Sequence, residues 1–127
     1  MGLNINKQEG DTSFNRRDAQ TGTDARIGKD NTADLSFLTY LQDLIVCRYR
    51  EMPEGSYTTS LFSQGINRLA QKVGEEALET IIEAANGTHE GLIYEASDLI
   101  YHLMVLLVYN DLRLEDLIRE LEKRHKA

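Results

Sequence analysis

Apolar residues recur at three- and four-residue intervals from Asp34 almost to the carboxyl terminus, which is the spacing of helices with one buried face. The chain has one proline, Pro53, so long stretches on either side of it are free to run as uninterrupted helix. Its 127 residues suffice for one compact domain and are too few for two ordinary ones. We therefore predict a single all-α domain.

The periodicity predicts four helices within that domain. The first begins at residue 34 and ends before the proline, and residues 52–60 combine helix breakers with hydroxyl side chains, which favours a loop. The second covers residues 66–84, and the Asn86-Gly87 pair predicts that a left-handed residue ends it. We expect the second and third helices to form an antiparallel hairpin about this turn.

Thr88 is expected to cap the amino terminus of the third helix, whose residues 92–108 are mostly apolar. A short fourth helix follows over residues 114–121. The third helix is nearly long enough to cross a membrane, but three polar side chains within it would be too costly in lipid: Glu95, Asp98 and His102. We predict a buried core helix without membrane insertion, a hydrogen-bonded His102 within it, and an antiparallel four-helix bundle.

The charge of the chain argues against two classes of partner. Its formal net charge is -7, so sequence-independent attraction to nucleic acid or to an anionic membrane surface is disfavoured. A phosphorylated ligand would need a cation to bridge it to the protein. The single cysteine, Cys47, and the lack of an apolar leader followed by a cleavage site favour a cytoplasmic location.

Residues 1–32 differ in composition from the rest of the chain. Five basic and five acidic side chains leave this segment without net charge, and it holds few sizeable apolar residues. Such a segment cannot bury enough surface to offset its ordering entropy, so we predict a flexible polar tail and place the domain in residues 33–127. The tail has neither cysteine nor histidine and therefore cannot hold a Cys/His metal site.

Acidic residues stand at matching intervals on the second and third predicted helices: Glu75, Glu76 and Glu79 on the second, Glu95 and Asp98 on the third. Glu76 lies seven residues after Leu69 and shares its inward direction to within roughly 20°. Glu95 shares the direction of Leu106 to within a similar angle, roughly 20°. At about 1.5 Å of rise per residue, the hairpin brings acids of both helices to one level.

Two interpretations of these acids are open. Most glutamates on helices belong to solvated faces, and each acid taken singly fits that description. Taken together, their spacing, level and direction would bring ionised groups together without basic partners on their own helices, which is costly. A divalent cation removes that conflict, and oxygen ligands without sulfur or paired histidines favour Mg²⁺ or Mn²⁺.

Three stretches of the chain resemble one enzyme family. The segments are EGSYTTSLFSQGINRLAQKVGEEALETIIEA, YEASDLIYHLMVLL and LEDLIRELEKRH, and they are similar to phosphoribosyl-ATP pyrophosphatase of histidine biosynthesis. The resemblance runs over residues 35–125, and its most specific strings are SYT, KVGEE and E-x-x-D-L-x-Y-H. The wider superfamily, the MazG-like all-α nucleoside triphosphate pyrophosphatases, shares only the acidic array.

The resemblance implies a reaction and assigns residues to it. The reaction is Mg²⁺-dependent hydrolysis of the α–β phosphoanhydride of 1-(5-phosphoribosyl)-ATP to phosphoribosyl-AMP and pyrophosphate, with Mn²⁺ able to substitute. The acids that match the family's metal ligands are Glu76, Glu79, Glu95 and Asp98. Apart from the resemblance, the chemistry of the acids makes Glu75 and Glu79 the candidates for the general base that takes the proton from the attacking water. The residues that match substrate contacts are Arg48, Ser56, Tyr57, Thr58 and Lys72.

Two other functions fit parts of the pattern. A MazG-like housecleaning pyrophosphatase acting on ordinary or damaged nucleoside triphosphates would share the acids, and substrate competition separates it from the first. A structural helical module would gain nothing from inward acids, and a metal titration tests that case. The third helix carries apolar residues on several faces, more than the other helices of one subunit cover, so we also expect a homodimer, as the resemblance implies.

Overall fold

The computed structural model describes residues 33–126. Within this range the protein has no strands and five helices: α1 (Ser36–Glu51), α2 (Tyr57–Gln64), α3 (Ile66–Asn86), α4 (His89–Tyr109) and α5 (Leu114–Arg124). The prediction of an all-α domain is confirmed for this part of the chain. The tail predicted for residues 1–32 lies outside the described residues.

The first predicted helix is confirmed, whereas the loop predicted after it is wrong in its second half. α1 ends at Glu51, and Met52 directly after it takes a left-handed conformation with φ of 47°. Residues 57–64 then form α2, because the Ser56 hydroxyl accepts a hydrogen bond from the backbone N–H of Thr59 (3.3 Å). The hydroxyl that favoured a loop by composition is the cap of a fifth helix.

The turn between α3 and α4 is placed as predicted but built differently. Gly87 has a φ of -102°, so the predicted left-handed residue is wrong. The backbone N–H of Thr88 instead donates to a carboxylate oxygen of Glu83 (3.3 Å), and a side chain at position 87 would collide with Glu83. Thr88 caps α4 as predicted, since its hydroxyl accepts a hydrogen bond from the N–H of Gly91 (3.0 Å).

The core lies between one side of α4 and the inner faces of α1, α2 and α3, and Leu114 of α5 packs against it. Its buried members come from α1, α2, α3 and α4, and they are Ile45, Leu61, Phe62, Leu69, Met104, Val105 and Val108. The carboxyl-terminal half of α4 is thus a core helix as predicted. Its amino-terminal half is not, because Ile93 and Tyr94 are exposed in the single chain.

By length and composition alone, α4 is able to cross a membrane, and it is the single helix of this kind in residues 33–126. The core helix of a soluble protein passes the same test. Here the apolar carboxyl-terminal half packs into the protein core. The helix therefore gives only weak grounds for a membrane span.

The predicted fourth helix is confirmed as α5, which is joined to α1 by polar contacts. The buried Gln42 accepts a hydrogen bond from the backbone N–H of Leu114 (3.0 Å) through its amide oxygen. Arg113 forms an ion pair with Asp43 (2.5 Å). These contacts fix the start of α5 against the middle of α1.

Candidate metal centre

Packing of α3 against α4 brings acids of both helices together. One carboxylate oxygen from each of Glu76, Glu79 and Glu95 lies within 4.8 Å of the others, and we call these three residues the acid cluster. Glu76 is 5% exposed, which confirms the inward direction predicted from its spacing to Leu69. Asp98 acts electrostatically on Glu95 but is not one of the three acids within 4.8 Å.

Two oxygens of the acid cluster are buried without a hydrogen-bond partner. They are Oε2 of Glu76 and Oε2 of Glu95. A buried carboxylate oxygen without a partner loses its hydration and gains nothing in return. A divalent cation would coordinate both oxygens, and an all-oxygen donor set suits Mg²⁺ or Mn²⁺. The residues present therefore fit a hard divalent metal ion.

Lys72 compensates part of the negative charge of the acid cluster. Its Nζ lies 3.2 Å from Oε1 of Glu76 and 3.8 Å from Oε2 of Glu75. Burial raises the pKa of Glu76, but the hydrogen bond and charge of Lys72, together with a hydrogen bond from Glu79 and the charge of His102, outweigh burial and lower the pKa below its ordinary value. The expectation that the acids have no basic partner on their own helices is therefore wrong for Glu76.

Glu75 stands apart from the acid cluster and is held by three neighbours on α3. It accepts a hydrogen bond from the Gln71 amide (2.9 Å), and its carboxylate lies 3.7 Å from Arg68. Lys72 is its third partner. Of the two candidates for the general base, Glu79 is thus the one within the acid cluster.

The amino terminus of α2 is bonded to α4 through side chains. The Tyr57 hydroxyl lies 2.8 Å from Nε2 of His102, and the Thr58 hydroxyl is hydrogen-bonded to the Tyr101 hydroxyl. With Ser56 acting as the cap of α2, each of the three hydroxyls of the SYT string already has a partner inside the protein. The structure places them beside α4, which carries two of the acids.

Arg48 is the predicted substrate contact that the structure leaves unpaired. It lies in the last turn of α1 and is half-buried. Its guanidinium forms no ion pair within residues 33–126. An unpaired cation remains available to an anionic ligand.

The phosphoribosyl-ATP pyrophosphohydrolase family model matches residues 38–125, a range that takes in the acid cluster, Lys72 and all of α2. The chain belongs to the phosphoribosyl-ATP pyrophosphohydrolase family. Among its relatives, the phosphoribosyl-ATP pyrophosphatase of Leptospira biflexa is 48% identical over 91 residues, which is 72% of this chain and 99% of that protein.

Two bifunctional relatives are also similar. The histidine biosynthesis bifunctional protein HisIE of Bacteroides thetaiotaomicron is 61% identical over 107 residues, 84% of this chain and 53% of the relative. The corresponding HisIE protein of Bacillus subtilis is 44% identical over 110 residues, 83% of this chain and 53% of the relative. The chain therefore spans about half the length of these bifunctional members and nearly all of the Leptospira member.

The sequence predicts only a core role for His102, which the structure also bonds to Tyr57. His102 is 4% exposed and hydrogen-bonded through both ring nitrogens, which confirms the predicted hydrogen-bonded histidine. Its partner Tyr57, however, lies 45 positions away in the chain. The Tyr101-His102 pair that ends the E-x-x-D-L-x-Y-H string marks His102 in the sequence. Its spacing does not predict that Tyr57 is the hydrogen-bond partner.

The acid cluster of this phosphoribosyl-ATP pyrophosphohydrolase family member holds a proton near neutral pH when no metal is bound. Hydrogen bonding to Glu79, partial burial and the charges of Glu79, Glu76 and Asp98 raise the pKa of Glu95 to about 7. An unfolded glutamate titrates near pH 4.3, at about the model-peptide value. The folded chain therefore binds more protons than the unfolded chain between these two values.

We expect Glu95→Gln to flatten the dependence of stability on pH in this window. With chelator present, the free energy of unfolding of the unsubstituted protein should fall as pH rises from about 4.5 to 7, because deprotonation is disfavoured in the folded state. Urea unfolding at several pH values measures this slope. Glu90→Gln, at an exposed acid of the same helix, should keep the slope. An unchanged slope in Glu95→Gln would contradict the assignment.

Proposed function

We propose that the protein catalyses Mg²⁺-dependent hydrolysis of the α–β phosphoanhydride of 1-(5-phospho-β-D-ribosyl)-ATP. The products are phosphoribosyl-AMP and pyrophosphate, and the reaction is the second step of L-histidine biosynthesis. The acid cluster carries this proposal, because it supplies oxygen ligands from two helices inside the range matched by the family. The Leptospira relative, which the chain covers almost completely, is named a phosphoribosyl-ATP pyrophosphatase.

The acids would divide the chemistry between them. Glu76, Glu79 and Glu95 would hold Mg²⁺, with Asp98 contributing from the next turn of α4. Mg²⁺ there would stabilise the charge that develops on the pyrophosphate leaving group. Glu79 is exposed and within the cluster, so it is the proposed general base for the attacking water, with Glu75 as the alternative.

Two cationic side chains and three hydroxyl side chains are the proposed substrate contacts. Arg48 and Lys72 would face phosphate groups, and the Lys72 ammonium already lies 3.2 Å from Glu76. The hydroxyls proposed to line the substrate site come from the start of α2, and they are those of Ser56, Tyr57 and Thr58. An acidic protein with these few cations suits a small metal-bridged nucleotide better than a nucleic acid.

We further propose a cytoplasmic location without membrane insertion, since three polar side chains interrupt α4: Glu95, Asp98 and His102. The single cysteine agrees with a reducing compartment. The catalytic domain proposed is residues 33–127.

A pyrophosphate-release assay tests the reaction directly. With phosphoribosyl-ATP and Mg²⁺, we expect equimolar phosphoribosyl-AMP and pyrophosphate from the full chain. A chain reduced to residues 33–127 should retain this activity. Release of orthophosphate, or no turnover at all, would contradict the proposed reaction.

We propose that the chain forms a homodimer, with α1, α3, α4 and α5 as the antiparallel MazG-like four-helix bundle of each subunit. Support comes from seven large apolar side chains that are exposed on the α3–α4 hairpin: Ile66, Leu78, Ile81, Ile82, Ile93, Tyr94 and Ile100. They occupy the same two helices as the acid cluster, so a partner covering them would lie beside the site.

We expect Ile81→Glu to disrupt this dimer. A charge placed in a desolvated interface should weaken association by about thirtyfold or more, equivalent to about 2 kcal/mol. Sedimentation velocity across a micromolar concentration range measures the change. Ile118→Glu, at an exposed isoleucine of α5, is the matched control and should leave a dimer. A fully active monomer of the unsubstituted protein would contradict the proposal.

A further inference from the structure

His102 occupies a buried position from which it bonds to its own helix, α4, and to α2. Its Nδ1 lies 2.7 Å from the backbone oxygen of Asp98, and its Nε2 lies 2.8 Å from the Tyr57 hydroxyl. Only a protonated nitrogen donates to a carbonyl oxygen, so Nδ1 carries the hydrogen. In the neutral ring Nε2 is then an acceptor, and the Tyr57 hydroxyl donates to it.

Tyr57 lies where three helices meet. It belongs to the first turn of α2, its hydroxyl contacts α4 through His102, and it lies within electrostatic range of Lys72 on α3. Lys72 in turn is paired with Glu76 of the acid cluster. Although Tyr57 is 55% exposed as a whole, its hydroxyl is bonded to a side chain that is almost fully buried. The ring is thus fixed at its hydroxyl end and open to solvent elsewhere.

A second hydrogen bond also joins α2 to α4. The buried Thr58 is hydrogen-bonded to Tyr101, so two consecutive residues of α2 contact two consecutive residues of α4. This second bond does not involve His102. Loss of the Tyr57–His102 bond would therefore release Tyr57 while α2 stays attached to α4.

We propose that His102 is a positioning residue, which fixes the Tyr57 hydroxyl relative to the turn of α4 that carries Asp98. A hydrogen bond to the Asp98 backbone holds the ring of His102 over that turn. The position of the ring, and with it the position of the Tyr57 hydroxyl, is therefore set by α4. This role rests on the proposed function, because Tyr57 is one of the proposed substrate contacts. We assign His102 no contact with substrate or metal.

Amide substitutions separate the two bonds of the histidine. The amide nitrogen of an asparagine overlaps the position of Nδ1, so His102→Asn keeps the donor to Asp98 and loses the acceptor for Tyr57. The amide of a glutamine reaches the position of Nε2, so His102→Gln keeps an acceptor for Tyr57. Tyr57→Phe removes the donor and retains the ring. Tyr40→Phe, at an exposed tyrosine whose ring contacts Phe37, is the matched control.

Steady-state kinetics gives the first readout. His102→Asn and Tyr57→Phe should each raise KM for phosphoribosyl-ATP about tenfold with kcat nearly unchanged, which is the effect of losing one hydrogen bond. Tyr40→Phe should retain a KM close to that of the unsubstituted protein. His102→Gln, which keeps the acceptor for Tyr57 but loses the donor to Asp98, should raise KM less than His102→Asn does. The double variant His102→Asn with Tyr57→Phe should be no worse than either single variant, because both remove the same bond. Unchanged KM in Tyr57→Phe, or additive losses in the double variant, would overturn the proposal.

The ¹⁵N resonances of His102 give a second readout that needs no turnover. They should show a protonated Nδ1 and an unprotonated Nε2, and Tyr57→Phe should shift the Nε2 resonance whereas Tyr40→Phe should not. The opposite tautomer, or an Nε2 resonance indifferent to Tyr57, would overturn the proposal even if the enzyme is active. An inactive unsubstituted protein that shows the expected resonances would instead refute the proposed reaction and leave this bond established.

Discussion

Removal of divalent cations by a chelator is expected to abolish pyrophosphate release, and added Mg²⁺ or Mn²⁺ is expected to restore it. The physical reason is the buried, unpartnered oxygen on each of Glu76 and Glu95, two members of the acid cluster. Without a cation, the negative charge of the acid cluster disfavours the approach of substrate phosphates. Activity that persists in excess chelator would contradict the metal assignment.

Substitution of one ligand tests the same point without a chelator. Glu76→Gln should lower kcat/KM by on the order of 10³, because several kcal/mol of charge stabilisation is lost with the metal. Mg²⁺ should raise the melting temperature of the unsubstituted protein by mass action and leave that of Glu76→Gln nearly unchanged. Glu90→Gln is the control, since Glu90 lies in the first turn of α4 outside the acid cluster.

Lys72→Met is expected to destabilise the metal-free protein by about 2 kcal/mol. Removing one partner of a buried ion pair costs about 3–5 kcal/mol, and the expected loss is smaller because the Lys72 side chain remains 20% exposed. Glu76, at 6% side-chain exposure, would be left with a buried charge that only protonation or a metal ion compensates.

Urea unfolding in the presence of chelator measures this loss. Mg²⁺ should recover part of it, because the cation takes over the compensation that Lys72 provided. Lys72→Arg keeps a positive charge at the same position and should lose less stability. Lys123→Met, at an exposed lysine of α5, should be nearly neutral. If Lys72→Met loses no more stability than Lys123→Met, Lys72 does not compensate the buried charge of Glu76.

The inward acids were predictable from sequence because helix geometry is regular. Once Leu69 is placed in the core, the helical repeat places Glu76 there as well, and the structure buries both. The level of Glu95 follows from counting residues away from the turn on the other helix. Neither step requires knowledge of tertiary contacts beyond the hairpin itself.

Features that depend on tertiary contacts or on local capping were not predictable in the same way. The hydroxyls of residues 56–60 favour a loop and an N-cap equally, so α2 was missed. The hydrogen bond between Tyr57 and His102 joins helices far apart in sequence, and the periodicity of the sequence does not predict it. The Lys72–Glu76 pair, in contrast, has the i, i+4 spacing of a helical ion pair and was available from the sequence.

We propose that the acid cluster serves phosphoribosyl-ATP and not nucleoside triphosphates in general. The most direct measurement is pyrophosphate release from phosphoribosyl-ATP, ATP and dCTP under identical Mg²⁺ conditions, compared as kcat/KM. We predict that kcat/KM for phosphoribosyl-ATP exceeds the other two by at least about a hundredfold, since a site that binds the added phosphoribosyl group leaves polar groups unpaired without it. Equal or higher kcat/KM for ATP or dCTP would contradict the claim and indicate a MazG-like housecleaning pyrophosphatase.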